Sequence, residues 1–521
     1  GADDTARSGR IRDGCAAVGH STRTWPRIPD FPAFRHNVAV IPLIVGSAVV
    51  ESLRPTLVPR TTVHQALVTG GCALTAAVVA KPVTLRTPRW LLVAGAGVGL
   101  WRSSVHVKAQ REAYPAWDPR PQNTPLAVAA GTLAGLALPR VGVALARRGW
   151  WGLGAAAATA TAAHLGLTKL RAIGIRADPA LREPPHSEFV SGGPASGVDY
   201  ATLARDGRRF VSLRTPAEEI RTVDPAAIEP IRVYVGLHTA ATVEERVAIA
   251  VSELERLGGF ERSNLLIMCP AGSGYADYVA AEAIECFTRG DVASVVIQYG
   301  VLPSMLSLGR VRLGAQTARM LLDAVAGRTH GRVVMYGESL GARVAQEALQ
   351  IAPSRVDDEG RVSGVDAVVS VGTPGGPSLR DRFLRSSGVV HLDRWQQLTG
   401  QEKAQLWFID HDADPVTKWD RPLAVRKPWW LRGTRGRNVP ADMAWLPLLT
   451  WWQVLFDLTF AAQQQSGVFR SIGHDYRADL PPVLSAVLGG GADVDAVAGL
   501  LAVREVARDE IVGLKLPAVS T

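Results

Sequence analysis

The sequence predicts an α/β protein in which a parallel sheet domain is preceded by a bundle of apolar helices. From residue 231 onward, short runs of Val, Ile and Leu alternate with helical patterns, as in a parallel sheet with crossover helices. Before residue 172 the apolar runs are longer and rich in Ala and Gly. A tight turn with the pattern Gly337-x-Ser339-x-Gly341 joins one predicted strand to the next helix. These three observations set the fold class and indicate one candidate site.

Composition excludes several classes of function. The chain has 521 residues, which is too many for one ordinary domain. Lys and Arg number 57 against 48 Asp and Glu, and the excess is spread along the chain, so nucleic-acid binding is not predicted. The four cysteines lack the spacing of a zinc site or a disulfide framework, and no glycine-rich phosphate-binding motif opens a helix. We therefore expect neither a metal nor an organic cofactor.

The first 171 residues divide into a tail and a helical region. Residues 1–36 are polar and bear many arginines, which predicts a disordered tail without a cleavable signal peptide. Residues 37–171 contain five apolar runs, of which 63–80 and 150–167 are long enough to cross a bilayer alone. Tryptophans at the ends of these runs and small residues within them favour a transmembrane domain of four or five spans. We expect a multi-pass protein of the plasma membrane; the alternative is a soluble, alanine-rich helical bundle.

The rest of the chain divides into three parts. Residues 172–230 have the Pro and Gly content of a linker, with short apolar patches that predict packing on the next domain. Residues 231–490 form the predicted catalytic domain, and residues 491–521 a C-terminal helical tail. The predicted strands are 232–237, 265–269, 293–299, 333–336, 367–371 and 406–409, and the helices between them are 243–257, 278–288, 311–326, 342–351 and 379–385.

The turn around Ser339 is typical of a nucleophile elbow, which raises a serine oxygen above the carboxyl end of a parallel sheet. Side chains at Gly337 or Gly341 would collide with the following helix. The amino end of that helix favours negative charge, which helps an alkoxide or oxyanion to form. An apolar run before the turn and a helical pattern after it favour the elbow over an ordinary strand-to-helix turn.

An activated serine needs an orienting acid, which on such a sheet comes after the serine and before the base. The acid belongs just beyond the strand at 406–409. Asp414 is the predicted acid, because Asp-Pro-Val makes a turn that aims a carboxylate across the sheet edge. Asp410 and Asp412 are the alternatives, and the acids left over would form a solvated loop.

The predicted base is His474, which comes after the last core strand and before a helix. His411 lies too close to the acid loop to reach the serine easily, and His391 precedes the acid. The alternative for His474 is a histidine of a surface loop.

An oxyanion hole needs two backbone N–H groups. One is expected from Leu340, the residue after the nucleophile, and the other from the glycine-rich loop at 269–275. Ala271 is the candidate donor in that loop; the alternative is an ordinary glycine-rich turn.

Residues 415–470 are predicted to form a lid. This insertion holds six of the fourteen tryptophans, with arginines interleaved among them. Tryptophan beside arginine suits a bilayer surface, so the lid is expected to cover an acyl pocket and contact the membrane. The alternative is a helical cap that packs on its own core.

With these residues in view, the chain resembles the membrane-anchored α/β-hydrolases of actinobacteria, which join a multi-span N-terminal domain to a C-terminal hydrolase domain. The likeness extends from about residue 40 to about 490. It rests on the segments 52–60, 207–211, 232–237, 337–341 and 414–416 and on Gly473-His474-x-Tyr476. The loop at 270–275 departs from the family's usual Pro-Thr-Gly-Thr-Gly-Trp. The resemblance implies an α/β-hydrolase sheet with Ser339, Asp414 and His474 in the catalytic roles.

The expected function is therefore that of a membrane-embedded serine hydrolase that cleaves carboxylic esters, with a lipid or another acyl ester from the bilayer as its substrate. Ser339 would attack the ester carbonyl, and His474 would accept its proton. Two alternatives stay open: an acyltransferase that moves the acyl group to an envelope alcohol, and a non-catalytic membrane scaffold. The number of spans, the membrane side of the catalytic domain and the oligomeric state are left open.

Overall fold

The computed structural model describes residues 37–513 except 82–85, 148–160, 162, 163, 171, 352–355, 359, 384, 385, 387 and 463. The predicted tail at 1–36, most of the apolar run at 150–167 and the last residues of the C-terminal tail lie outside the described residues.

A seven-stranded, fully parallel sheet forms the centre of the C-terminal part. Its strands are β3 (Ile231–Val235), β4 (Asn264–Cys269), β5 (Val292–Ile297), β6 (Arg332–Glu338), β7 (Ala367–Val371), β8 (Val389–Leu392) and β9 (Leu406–Ile409). They lie in the order β3-β5-β4-β6-β7-β9-β8. The predicted parallel α/β architecture is confirmed, and six of these seven strands were predicted. The seventh, β8, was missed because it is four residues long and half-exposed at the sheet edge, so it lacks the buried apolar run of the others.

Helices cover both faces of this sheet, as the crossover connections require. One face carries α7 (Val243–Leu257), α9 (Val311–Val325) and α10 (Leu340–Gln350), and the other carries α8 (Tyr278–Phe287), α14 (Leu480–Leu488) and α15 (Val494–Ile511). The remaining helices of this part are α5 (Arg205–Ser212), α6 (Ala217–Ile220), α11 (Leu379–Phe383), α12 (Pro415–Lys418) and α13 (Leu449–Thr459). Single 3-10 turns occur at Pro179–Leu181, Tyr200–Thr202, Ser304–Leu306, Leu308–Arg310, Trp395–Gln397, Pro422–Ala424 and Trp429–Leu431.

The predicted linker packs on the sheet rather than standing apart from it. Residues 189–191 lie beside β3, where Ser191 N–H donates to Arg232 O and Arg232 N–H donates to Phe189 O, each at 3.0 Å. Phe210 of α5 is fully buried against Tyr234 of β3. The apolar patches of this segment therefore extend the core of the domain.

The N-terminal part consists of α1 (Ile41–Glu51), α2 (Thr62–Ala80), α3 (Arg89–Glu112) and α4 (Thr124–Arg147), with a short pair of strands, β1 (Asn37–Ala39) and β2 (Arg86–Pro88). Helices α2 and α4 approach backbone to backbone. A Cβ added at Gly131 would lie 2.3 Å from Ala66 O, and one added at Gly135 would lie 2.4 Å from Gly70 O. The small residues of the apolar runs thus allow close helix packing, as predicted.

One helix in the described part of the chain, α2, is long and apolar enough to cross a membrane, and half of it is buried inside the protein. Helix α1 and the segment Thr124–Ala137 of α4 are apolar but shorter. The prediction of four or five spans is therefore not confirmed. Among the described runs, helix α1 is too short and α3 is interrupted by Arg102, whereas most of the run at 150–167 lies outside the described residues.

The tryptophan-rich insertion joins the two parts of the molecule. It forms a small core of its own around Trp430, Leu431 and Val454, against which Trp419, Trp445 and Trp451 pack. Its helix α13 lies on α2, where Trp452 Nε1 donates to Thr75 Oγ1 at 2.7 Å. Most of these tryptophans therefore have a packing role, as in the alternative of a cap with its own core, whereas Trp429 is 66% exposed.

A buried ion pair connects β3 to α8, and its loss should destabilise the catalytic domain. Arg232 and Glu285 are fully buried and form two hydrogen bonds, of 2.6 and 2.9 Å. Glu285→Gln leaves the arginine without a buried counter-charge, so the free energy of unfolding should fall by about 3–5 kcal/mol. Glu255→Gln is the control, because Glu255 pairs with Arg328 at the surface, and such a change costs about 1 kcal/mol or less. Urea unfolding followed by tryptophan fluorescence compares the variants, and equal midpoints for the two would contradict this account.

Candidate active site

Ser339 occupies the sharp turn between the central strand β6 and helix α10. Its backbone has φ 53° and ψ −123°, a conformation that costs energy for any residue with a side chain. A Cβ at Gly337 would lie 2.4 Å from Gly341 O, and a Cβ at Gly341 would lie 2.2 Å from Cys269 O. Both positions therefore require glycine. The predicted collision with the following helix is found at Gly337, whereas at Gly341 the obstacle is the end of strand β4. Ser339 N–H donates to Val371 O of the neighbouring strand at 2.9 Å, which holds the turn at the carboxyl edge of the sheet.

Asp414 and His474 are brought together at the same edge. Nδ1 of His474 donates to Oδ2 of Asp414 at 2.7 Å, and both side chains are buried. The other carboxylate oxygen accepts the N–H of Val416 at 2.8 Å, which is the Asp-Pro-Val turn expected from the sequence. Tyr476 donates its hydroxyl to Oδ2 at 2.7 Å. Three donors therefore converge on this carboxylate.

The imidazole of His474 lies over the end of β7, the strand that holds the nucleophile turn. Gly372 follows Val371, the residue that accepts the N–H of Ser339. A Cβ at Gly372 would lie 2.6 Å from Cε1 of His474, so only glycine leaves room for the ring. In the part of the chain that the structure describes, neither the Ser339 hydroxyl nor Nε2 of His474 makes a hydrogen bond. Sequence reasoning did not find Gly372, because a glycine after a strand is common.

The surroundings of His474 set its protonation. Burial by itself lowers the pKa of His474, but the charge of Asp414 and the hydrogen bond to it outweigh burial and raise the pKa above its ordinary value. Burial, followed by the charge of Asp414, raises the pKa of Tyr476 well above its ordinary value. Tyr476 thus stays a phenol and keeps the hydrogen that it donates to Asp414.

The two alternative acids have other partners. Asp410 accepts the N–H of Thr373 at 2.8 Å and lies 3.3 Å from Arg380 and 3.5 Å from Nε2 of His391. Burial opposes ionisation of Asp410, but the charge of Arg380 prevails and lowers the pKa of Asp410 to about 2. Asp412 accepts the N–H of Arg437 at 3.0 Å. Of the three acids, Asp414 is the one hydrogen-bonded to His474.

His411 supports the loop that carries His474. Its Nδ1 donates to Gly473 O at 2.9 Å, and its Nε2 lies 2.9 Å from Oδ2 of Asp479. The ring stacks on Tyr476 with centroids 4.0 Å apart, and the backbone N–H of His411 donates to the Tyr476 hydroxyl at 3.0 Å. The sequence marked Tyr476 by its place beside His474 but assigned roles to neither Tyr476 nor Asp479, because these contacts join segments about 65 residues apart.

Of the two expected oxyanion donors, Leu340 has the expected position, whereas the N–H of Ala271 is already engaged. Leu340 begins α10, so its N–H belongs to the first helical turn, which has no intrahelical acceptor. Ala271, in contrast, donates its N–H to Tyr275 O at 2.7 Å, and its carbonyl accepts the N–H of Gly274 at 2.8 Å. The loop closes on itself, so the N–H of Ala271 is engaged and the choice of Ala271 as donor is not supported in this conformation.

The connection between α3 and α4 rests on the loop of the histidine. A Cβ at Gly473, whose φ is 54°, would lie 2.7 Å from the ring of Trp117. Arg470 forms an ion pair with Asp118 at 2.8 Å. The connection between the N-terminal helices thus packs against the loop that carries His474, which the division of the sequence into separate domains did not predict.

Comparison with known proteins gives one match. A family described as Alpha/beta-hydrolase family matches residues 231–496, just over half of the chain. The comparisons with curated proteins and with solved structures returned no match.

Tyr476→Phe should weaken the reactivity of Ser339 without unfolding the chain. The change removes one of three donors to the buried Asp414 carboxylate, and a hydrogen bond to a charged group contributes about 1.5–3 kcal/mol. We expect the rate at which a fluorophosphonate labels Ser339 to fall about 10- to 100-fold. Tyr299→Phe is the control, because the buried Tyr299 hydroxyl has no partner in the described part of the chain. Equal labelling rates for the two variants would show that Tyr476 does not support the acid.

Proposed function

The chain belongs to this alpha/beta-hydrolase family, and on that premise we propose that it is a serine hydrolase that cleaves carboxylic esters through an acyl-enzyme. The observation that carries the proposal is the 2.7 Å hydrogen bond between Asp414 and His474, buried at the sheet edge beside the Ser339 turn. Gly372 supports the proposal further, because it makes room for the ring at the end of β7, the strand that holds the nucleophile turn.

The chemistry assigns one role to each group. Nε2 of His474 takes the proton of Ser339 as the serine oxygen attacks the ester carbonyl, and it then protonates the leaving alcohol. Asp414 holds the tautomer that carries its hydrogen on Nδ1 and stabilises the imidazolium that forms. The N–H of Leu340 and the amino end of α10 stabilise the oxyanion. Water then attacks the acyl-enzyme: His474 takes a proton from the water and returns it to the Ser339 oxygen as the acid is released.

The site is tested by labelling with a fluorophosphonate, which reacts with activated serines. Ser339→Ala should abolish labelling of the detergent-solubilised full chain, and His474→Ala should reduce it by orders of magnitude. Asp414→Asn should lower the rate by about 10³- to 10⁴-fold, because the wrong tautomer of His474 is then favoured. Asp412→Asn is the matched control, since Asp412 does not contact His474.

The pH dependence of the same reaction gives a second readout. The reactive form contains neutral His474, and its pKa is raised, so the labelling rate should fall on acidification from a pH above the ordinary histidine pKa. In Asp414→Asn the acid limb should move to lower pH, because the charge that raises the pKa is gone. A folded wild type that is not labelled at any pH would overturn the proposal and favour the non-catalytic scaffold.

We further propose that the protein acts at a membrane and that its substrate is a lipid or another acyl ester. The support is the surface of the N-terminal helices, where Leu100 is 75% and Trp101 66% exposed. Other large apolar side chains on α2, α3 and α4 that are exposed in the same way are Val63, Leu67, Val78, Val79, Trp90, Val93, Val98, Val105, Leu126 and Leu133. An apolar surface of this extent is unusual on a protein that faces water only.

Partition in a phase-separating detergent tests the membrane proposal. The full chain should enter the detergent-rich phase, and the triple change Val93→Ser, Leu100→Ser and Trp101→Ser should shift part of it to the aqueous phase. Val503→Ser should leave the partition unchanged, because this exposed valine lies on α15 of the catalytic domain. Recovery of the wild type in the aqueous phase would exclude membrane attachment through these helices.

A further inference from the structure

Three acidic or phenolic side chains meet directly beneath the nucleophile turn. Tyr336 and Glu338 point to the same face of β6 because they are two residues apart. The Tyr336 oxygen lies 2.9 Å from Oδ2 of Asp277 and 3.3 Å from Oε2 of Glu338. Tyr336 and Asp277 are buried, and Glu338 is partly buried. The serine hydrolase mechanism uses none of these three groups.

Both contacts of the Tyr336 oxygen can be hydrogen bonds only if one of the two carboxyls is protonated. A phenol has one hydrogen, so Tyr336 donates to only one carboxyl at a time. The second contact is a hydrogen bond only if a carboxyl also carries a hydrogen. The Asp277 carboxyl already has other donors, because its Oδ1 accepts the N–H groups of Val279 and Ala280 at 2.8 and 3.3 Å, at the amino end of α8. The additional hydrogen therefore belongs on Glu338.

The charges around Glu338 agree with this assignment. The groups that face it are Asp277, Tyr336 and Tyr275, together with Asp475, whose carboxylate is itself paired with an arginine. No lysine or arginine forms an ion pair with Glu338 in the part of the chain described. Burial, and after it the charge of Asp277 and a hydrogen bond to it, raises the pKa of Glu338 well above its ordinary value.

The cluster lies where it can link the nucleophile turn to the loop 270–275. Glu338 precedes Ser339 directly, and Asp277 follows the loop 270–275, on the side where the second oxyanion donor is expected. We propose that Glu338 is a positioning residue that carries its hydrogen at neutral pH and donates it to the Tyr336 oxygen, while Tyr336 donates to Asp277. This chain of hydrogen bonds holds the nucleophile turn against the loop. The effect of Glu338 on the reactivity of Ser339 rests on the proposed hydrolase function. The hydrogen bond of Glu338 does not depend on that function.

Two variants of Glu338 separate the hydrogen bond from the charge. Glu338→Gln keeps a donor of similar shape, so the fluorophosphonate labelling rate at neutral pH should stay within about twofold of the wild type. Glu338→Ala removes the donor, and the rate should fall about tenfold. The wild-type rate should decline at alkaline pH as Glu338 ionises beside Asp277, and this decline should be absent from Glu338→Gln. Glu347→Gln, on the helix that follows the nucleophile, is the matched control and should behave as the wild type.

Infrared spectroscopy of the full chain detects the protonated carboxyl of Glu338 directly and does not depend on hydrolase activity. The carbonyl band of a protonated carboxyl should be present at neutral pH in the wild type and in Glu347→Gln, and absent from Glu338→Gln. Presence of this band in a wild type that is not labelled would refute the hydrolase function and leave the hydrogen bond standing. Absence of the band at neutral pH, labelling of Glu338→Ala at the wild-type rate, or the same alkaline decline in Glu338→Gln would each overturn the role proposed for Glu338.

Discussion

The carboxylate of Asp414 is fully buried, and the organisation of the site follows from what it takes to bury that charge. An ionised carboxylate inside a protein is costly unless hydrogen bonds replace its water. Here the Val416 N–H, the Tyr476 hydroxyl and Nδ1 of His474 replace it. The hydrogen bond that His474 donates to this carboxylate therefore fixes the imidazole at the sheet edge. Nε2 of His474 is directed away from the acid.

The same requirement extends outward to a second layer of contacts. Tyr476 keeps its direction because His411 donates a backbone N–H to its oxygen and stacks on its ring. His411 in turn is held by Gly473 O and by Asp479, which is also buried. Each polar group taken from water is satisfied by the next, so the histidine loop is held in place by a connected network rather than by one contact.

Another buried carboxylate, that of Asp457 in the tryptophan-rich insertion, joins the N-terminal helices to the hydrolase domain. It accepts the N–H of Leu57 at 3.0 Å and lies 3.0 Å from Nε2 of His64 and 3.6 Å from Nε of Arg60. These partners come from the segment between α1 and α2 and from the start of α2. Together with the contact of Trp117 on Gly473, they make the N-terminal helices part of the frame behind the candidate base, in addition to any role at a membrane.

Features that depend on local chemistry could be predicted from the amino-acid sequence. Buried strands are visible as β-branched runs, the elbow as glycines at two fixed positions, and the candidate acid as an Asp-Pro turn. Where a feature depends on exposure or on a distant partner, prediction failed. Strand β8 was missed because half of it faces solvent. Ala271 was chosen as a donor although the turn of its own loop engages its N–H. The packing of most of the insertion's tryptophans on a small core was open at the level of sequence, and the lid stays a prediction.

The sequence by itself thus determined the α/β class, six of the seven strands of the parallel sheet and the choice of Ser339, Asp414 and His474 as candidates, since these depend on local pattern and spacing. Only the tertiary structure showed that Asp410 and Asp412 have other partners than the histidine, and that Gly372 makes room for its ring. It also showed that two carboxyls lie on one phenol oxygen beneath the elbow. The physical reason is that hydrogen bonds and buried charges are satisfied in space. The side-chain partners of Asp414, and the Asp277 partner of Tyr336, lie about 60 residues away along the chain.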